Sequence, residues 1–279
     1  MSNYKLIGVG TNAKTVKGDG EEYLSGILYL APADIVEGIN LCSMAVLAGC
    51  KSACLYTAGR GAFNNVQASR IRKTILLRDF PELFYEQLSQ DLRKFMTYCE
   101  KRGIQPVIRL NGTSDWAFYK HIDMAGEFAG IQFYDYTKIP KMAYKKASGL
   151  LPDNYHITLS YSEASSKYAD LILKAHKETG VNMAVVFRDK NSIPTEFMGS
   201  QIIDGDKDDL RFLDPAGHVV ALYAKGEAKK DTSGFVIDII DIHGCYTLLK
   251  QRGVPLPASV EAEFIRQIDE DKFIRQQNN

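Results

Sequence analysis

The stretch from Gln105 to Arg188 decides the fold. It contains four short apolar runs, each four to eight residues long in the manner of buried strands: QPVIRL (105–110), IQFYDY (131–136), YHITLSY (155–161) and VNMAVVFR (181–188). Helical patterns separate them, at Trp116–Ala129, Lys141–Gly149 and Glu163–Thr179. Strands that alternate with helices at this spacing predict right-handed βαβ units and a parallel sheet.

Three further apolar runs flank this stretch and are predicted to be strands, namely GILYLA (26–31), Ser200–Asp204 and Val219–Ala224. Two helices are predicted before Gln105, at Asn65–Leu77 and Pro81–Arg102. No glycine-rich dinucleotide turn follows the first strand, which argues against a doubly wound sheet. We therefore expect an α/β fold built as a parallel-stranded TIM-like barrel, complete or incomplete. The expected organisation is an irregular arm at 1–25, a barrel domain at 26–250 and a C-terminal helix at 251–279.

Composition excludes several classes of protein. The 279 residues are 45% hydrophobic and 24% charged, which is typical of a globular domain rather than a disordered chain. Lys and Arg together count 34, as do Asp and Glu, so no global positive charge attracts nucleic acid. No apolar run approaches the ~20 residues that cross a bilayer, and no signal peptide is evident. We expect a cytoplasmic protein that does not insert into membranes; its oligomeric state stays open.

Three of the five cysteines crowd into one loop after the first predicted strand, INLCSMAVLAGCKSACLYTAGRG (39–61). Cys42, Cys50 and Cys54 are soft ligands at close spacing, suited to an iron–sulfur cluster or to zinc. Three ligands without an obvious fourth leave one metal position open, which is typical of a catalytic site. The alternative is that these thiols are buried as small hydrophobic side chains.

Basic residues follow the cysteines directly. Arg60 lies between two glycines, and Arg70 and Lys73 lie three residues apart on a predicted helix face, where they could hold a phosphate or a carboxylate. A solvated helix face is the alternative.

Polar residues also end the second and third strands of the predicted barrel, in RLNGTSDW (109–116) and FYDYTK (133–138). Strand ends converge on one mouth of a barrel, so these side chains are expected beside the cysteine loop. They are Arg109, Asn111, Asp115, Asp135 and Lys138. Asp115 has a competing interpretation as the N-cap of the helix predicted at Trp116.

The runs GILYLAP, the cysteine loop, RLNGTSDW, FYDYTK and IIDGDKDDLRFLDP…ALYAKGEAKKDTSGF together resemble a family of bacteriophage and prophage proteins called gene product 88-like. The resemblance covers about residues 26–235. It implies a viral origin and expression in the cytoplasm of a bacterial host. Its motifs mark the family and indicate no function.

A second similarity is to radical S-adenosylmethionine enzymes, which also place three cysteines after the first strand of an α/β barrel. That similarity implies a [4Fe-4S] cluster on Cys42, Cys50 and Cys54, with S-adenosylmethionine at the open iron. The segment Asn111–Gly112–Thr113–Ser114–Asp115 is similar to the glycine-rich segment after their second strand. The implied cofactor-binding residues are Asn111, Gly112, Arg60, Arg70 and Lys73; Arg109, Asp115, Asp135 and Lys138 would position cofactor and substrate.

Two other functions fit the same sequence. A transglycosylase-like barrel would exchange bases in nucleic acid with Asp115 and Asp135 as paired carboxylates, a structural zinc, and the stretch Arg60 to Lys73 along the nucleic-acid backbone. A non-enzymatic phage protein would instead bind DNA or a host factor and show an exposed apolar or basic patch. The transglycosylase-like enzyme requires two carboxylates that face each other across a cleft. A cluster enzyme requires three thiols that face one cavity.

Overall fold

The computed structural model describes residues 5–10, 22–190, 193–239, 258, 261–262 and 265–266. The chain forms two compact units, Met1–Ile237 and Asp238–Asn279. In the second unit, residues 258, 261–262 and 265–266 are helical, and the rest of the helix predicted at 251–279 lies outside the described residues. None of the described helices is both long enough and apolar enough to span a bilayer.

The first unit is built on one mostly parallel sheet with helices packed against it, which confirms the α/β class. Its strands are β1 (Ile7–Val9), β2 (Tyr23–Leu28), β3 (Gln105–Arg109), β4 (Gln132–Thr137), β5 (Tyr155–Ser160), β6 (Met183–Phe187), β7 (Glu196–Phe197), β8 (Ser200–Asp204), β9 (Val219–Tyr223) and β10 (Val236–Ile237). Its α-helices are α1 (Asn64–Asp79), α2 (Pro81–Glu100), α3 (Lys141–Ala147) and α4 (Ser166–Thr179).

The strand order is β1-β2-β3-β4-β5-β6-β9-β8-β7, and β10 pairs with the end of β6. The pairs from β2 to β6, and those of β9 with β6 and β8, are parallel. Within the described residues, the antiparallel pairs are β1 with β2 and β7 with β8. Between the described residues no pairing joins the two ends of this path, so the sheet is open in its hydrogen bonding. β1 lies within the segment predicted as an irregular arm at residues 1–25.

Alternation along the strands gives the sheet two different faces. On one face, Ile108, Phe133 and Ile157 belong to the same core cluster as Phe84 and Leu88 of α2, which are completely buried. Each such side chain contributes about 1.5–3 kcal/mol. The other face carries Val107 and Tyr134, and the segment that follows β8 packs on them through Leu210 and Phe212. This segment, residues 208–214, comes from a distant part of the sequence, and we call it the plug.

The helix predicted at Trp116–Ala129 is wrong. The region contains only a 3-10 turn at Phe118–Lys120, followed by further turns. The Asn111 side chain accepts the Trp116 N–H and donates to the Trp116 carbonyl, and the Asp123 carboxylate accepts the N–H groups of Gly126 and Glu127. These side chains bind backbone groups that an α-helix would need, and they favour turns instead.

Candidate functional site

The carboxyl ends of the first four parallel strands place the cysteine loop and three polar segments along one edge of the sheet. The loop follows β2, Asn111–Asp115 follows β3, Lys138 follows β4, and Ser160–Ser162 ends and follows β5. We call this edge the mouth, and define it by Cys42, Cys50, Cys54, Asp115, Lys138 and Ser160.

Two serines fix the cysteine loop at the mouth. Ser162 donates to the Ala48 carbonyl at 2.7 Å, and the Ser233 hydroxyl is shared between the Gly49 carbonyl at 3.0 Å and the Asp231 carboxylate at 2.7 Å. Gly49 has a positive φ of 63°, and a Cβ at this position would lie 2.5 Å from the Cβ of Ala164. The loop therefore approaches the segment after β5 more closely than any side chain at residue 49 would permit.

The three thiols at the mouth are half-buried and free, and each contacts a backbone group. Cys42 Sγ lies 4.0 Å from the Thr113 carbonyl oxygen, and Cys50 Sγ lies 3.7 Å from that of Ala45. Cys54 Sγ accepts the Tyr56 N–H at 3.5 Å and caps a short 3-10 helix.

Burial raises the pKa of each of these thiols, and raises that of Cys42 to about 12. Negative charge on Cys50 or Cys54 raises the pKa of Cys42 further, because the three sulfurs lie within electrostatic reach of one another. All three are therefore neutral thiols near pH 7, and a bound cation would be needed to hold them together as thiolates.

Three thiols are ligands that soft metals prefer. They share one loop at the carboxyl edge of the sheet, where active sites of such folds form. In the described ranges, however, no three His, Cys, Asp or Glu side chains lie close enough together to ligate one ion. A metal on Cys42, Cys50 and Cys54 therefore stays a prediction.

Asp115 enters the mouth from the loop after β3. Its N–H donates to the Leu41 carbonyl at 2.8 Å, and its Oδ2 accepts the Lys138 N–H at 2.7 Å. Burial raises the pKa of this carboxyl to about 6. The N-cap interpretation is wrong, because no α-helix follows and the carboxylate accepts an N–H from another strand end.

Lys138 completes the mouth from the end of β4. Its Nζ donates to Ser160 Oγ at 2.7 Å and lies 4.6 Å from the centroid of the Phe235 ring. Its positive charge lowers the pKa of Asp115, Cys50 and Cys54 against the opposing effect of burial. An ammonium, a carboxyl group and three thiols from separate parts of the chain thus act on one another at this edge.

Asp135 lies on the face of the sheet that the helices cover. Its carboxylate accepts the Asn111 N–H at 2.7 Å, the Asn111 Nδ2 at 3.0 Å and the Tyr155 hydroxyl at 3.0 Å. Burial raises its pKa to about 7. Asp115 and Asp135 do not face each other across a cleft, because Asp135 is 3% exposed and enclosed by its donors. Asn111 in turn shapes the loop that presents Asp115.

Gly112 lies next to Asn111 and permits a close contact. A Cβ at this position would lie 2.6 Å from the Tyr29 ring and 2.8 Å from Ile27. Its role in the structure is to let the loop after β3 pack against the end of β2.

Arg109 lies on the opposite face from Asp135 and contacts the plug. Its Nη1 is 3.2 Å from Asp209 Oδ2, and its guanidinium lies 4.7 Å from the centroid of the Tyr136 ring. Tyr134 donates to the same carboxylate oxygen at 2.9 Å. Although burial opposes the charge, Asp209 and the neighbouring tyrosines raise the pKa of Arg109 above its usual value.

The three basic residues predicted to bind an anion have separate surroundings. Arg70 is 7% exposed, lies over the rings of Tyr29 and Tyr56, and donates to the Tyr56 carbonyl at 3.3 Å. Lys73 donates to the Leu6 carbonyl at 2.6 Å, and burial lowers its pKa to about 8. Arg60 is exposed on a 3-10 turn. Arg70 and Lys73 therefore contact the protein itself, and they do not form a solvated basic face.

Two residues of this region were not singled out by sequence reasoning as site residues. Ser160 ends a predicted strand, and its position relative to Lys138 follows from the register of β4 and β5. Phe235 comes from a segment almost 100 residues beyond Lys138, and no local pattern in the sequence indicates that contact.

Comparison with known proteins identifies a family. A family model described as Gene product 88 matches residues 3–239. The searches of curated proteins and of solved structures return no match. The family model covers well over half of the sequence, including every residue of the mouth. The chain therefore belongs to the Gene product 88 family.

Proposed function

We propose that this chain is an enzyme whose active site is the mouth, and that Cys42, Cys50 and Cys54 bind an iron–sulfur cluster there. One observation carries the proposal: the cysteine loop, Asp115 and Lys138 meet at one edge, where the Asp115 N–H donates to the Leu41 carbonyl at 2.8 Å and the Asp115 carboxylate accepts the Lys138 N–H at 2.7 Å. Titratable groups with perturbed pKa values gathered at a sheet edge are characteristic of active sites.

The placement of the cysteines supports a metal centre. They lie on a loop after the first parallel strand, and hydrogen bonds to Ser162 and Ser233 hold that loop at the edge of the sheet. When bound, a [4Fe-4S] cluster with three protein thiolates supplies one-electron chemistry and one open iron. S-adenosylmethionine is the proposed partner at that position, and zinc is the alternative metal.

Asp115 and Lys138 have distinct proposed roles. Because burial raises the pKa of Asp115 to about 6, its carboxyl group can hold or release a proton close to neutral pH. Lys138 holds a positive charge beside it, and its ammonium is oriented by Ser160. Both are catalytic candidates, whereas Asn111 and Asp135 act as positioning residues for the loop that carries Asp115.

We also propose that the sheet curves as an incomplete barrel. Support comes from the plug, which follows β8 near one end of the strand order yet contacts Tyr23 of β2 through Phe212, with ring centroids 5.5 Å apart. A curved sheet brings these distant strands near a common segment. A bacteriophage family and free thiols favour the reducing cytoplasm of a bacterial host as the site of action.

The test is metal analysis of protein purified without oxygen. Iron, sulfide and zinc are measured per chain, with an ultraviolet–visible spectrum, for the natural sequence and for a Cys42→Ala/Cys50→Ala/Cys54→Ala variant. Cys99→Ala is the matched control, because Cys99 is buried in α2 away from the mouth.

We expect about four irons and a broad visible absorbance that the triple variant loses and the control keeps. One zinc without iron would replace the cluster with the zinc alternative. Equal metal content in the triple variant and the natural sequence would refute a metal site on these cysteines.

A further inference from the structure

We propose that Lys138 and Ser160 together bind an oxyanion, a carboxylate or phosphate group, of the molecule on which this protein acts. The inference rests on the proposed active site and names the chemical class of its substrate. It starts from the two donors that the ends of β4 and β5 bring into contact.

The Lys138 ammonium is half-buried and its contacts are neutral. They are the Ser160 hydroxyl at 2.7 Å and the face of the Phe235 ring at 4.6 Å. Across the described part of the chain, no carboxylate forms an ion pair with the ammonium within 4.0 Å; Asp115 accepts the backbone N–H of Lys138 and attracts the ammonium from beyond that distance. Buried charges are normally paired, so a half-buried cation with neutral contacts at an active-site edge favours an anionic ligand.

Ser160 supplies the second donor. Its Oγ accepts a hydrogen bond from Lys138, which leaves its own O–H to donate, and within the described residues no hydrogen bond uses that O–H. Its backbone carbonyl is held by the Tyr168 hydroxyl at 2.6 Å, which fixes the position of the serine. An N–H of Lys138 and the O–H of Ser160 can therefore reach the same oxyanion, as charge-assisted and neutral donors.

The location fits a ligand rather than a structural ion. Both donors lie at carboxyl ends of neighbouring parallel strands, where ligands of α/β proteins bind, and beside the thiols of Cys50 and Cys54. A molecule anchored here by its anionic group would place its remaining atoms over the cysteine loop.

Isothermal titration calorimetry with inorganic phosphate and with acetate tests the inference, with ionic strength held constant by sodium chloride. Lys138→Met removes the charge and keeps the length of the side chain, and Lys138→Arg keeps the charge. Ser160→Ala removes the second donor. Lys141→Met is the matched control, because Lys141 is an exposed lysine three residues away at the start of α3.

We expect one site for phosphate or for acetate; the stronger ligand identifies the oxyanion. Affinity should fall at least tenfold in Lys138→Met, fall less in Ser160→Ala, and stay within twofold in Lys141→Met and in Lys138→Arg. No binding to the natural sequence, or equal binding to Lys138→Met and Lys141→Met, would overturn the inference. Circular dichroism spectra that match the natural protein show that each variant is folded.

Metal analysis of the same preparations separates this inference from the proposed function. Metal retained on the cysteines with no oxyanion site would overturn the inference alone. An oxyanion site that depends on Lys138, in protein whose cysteines bind no metal, would overturn the proposed cluster alone.

Discussion

Replacing Asp209 by alanine should destabilise the protein more than any surface change, because its carboxylate holds the plug against the sheet. The carboxylate is 2% exposed, pairs with the Arg109 guanidinium at 3.2 Å, and accepts the Tyr134 hydroxyl at 2.9 Å. Alanine would leave the arginine charge buried without that partner. Removing one member of a buried ion pair costs about 3–5 kcal/mol, and we expect a loss of this size in the free energy of unfolding.

Urea unfolding followed by circular dichroism measures the change. Asp34→Ala is the surface control, because the Asp34–Lys51 pair is more than half exposed on both sides and should contribute about 0–1 kcal/mol. Adding Arg109→Met to Asp209→Ala removes the unpaired charge, so the double variant should be more stable than Asp209→Ala alone. A cost below about 1 kcal/mol for Asp209→Ala, or additive costs in the double variant, would refute the reasoning.

Three further predictions concern the surroundings of the mouth. Gly112→Ala should lower the free energy of unfolding by about 1–3 kcal/mol, because the added Cβ clashes with Tyr29. Gly130→Ala is the control, because its Cβ would meet only Met96 at 3.5 Å. Thermal melts compare the two variants, and equal melting temperatures would contradict the clash. Ser162→Ala should raise the rate at which iodoacetamide alkylates Cys50, resolved by mass spectrometry, because the loop loses its 2.7 Å anchor; an unchanged rate would show that Ser162 does not fix the thiol. Asp135→Asn should flatten the dependence of stability on pH between about 4 and 7. Burial raises the folded-state pKa of this carboxyl from 3.8 to about 7, so the folded state binds more protons in that window and the natural protein loses stability as pH rises through it; equal slopes in urea titrations would contradict this.

The parallel sheet was predictable because its signal is local. Each strand from β3 to β6 is a short apolar run, and a helix or turn returns the chain to the same end of the sheet. The same logic placed Asp115 and Lys138 beside the cysteine loop, since residues after parallel strands share an edge. The plug was not predictable, because Asp209 lies 100 residues beyond Arg109 and no pattern in either segment marks the other.

The missed contacts of β1 and the wrong helix at Trp116–Ala129 have the same origin. In both regions, a polar side chain forms hydrogen bonds with backbone groups, and the periodicity of the sequence does not reveal such bonds. Asp91 of α2 accepts the Leu6 N–H at 2.7 Å and holds the start of β1 in place. Asn111 satisfies Trp116 and so stabilises a turn where apolar spacing favours a helix. Such hydrogen bonds depend on the three-dimensional positions of the two groups, and composition and residue spacing do not give those positions.

Strand periodicity predicts the position of one of the two candidate aspartates, Asp135, and not that of the other, Asp115. In FYDYTK, residues 133, 135 and 137 point to one face of β4, and residues 134 and 136 point to the other. Phe133 packs in the core that the helices cover, so the alternation predicts that Asp135 is buried on the same face. A carboxyl group buried there needs hydrogen-bond donors, and Asn111 and Tyr155 supply them. Asp115 obeys no such period, because it lies on a loop whose direction depends on Asn111. Periodicity places the carboxyl group of Asp135, and Asp135 in turn holds Asn111, which shapes the loop that carries Asp115 to the mouth.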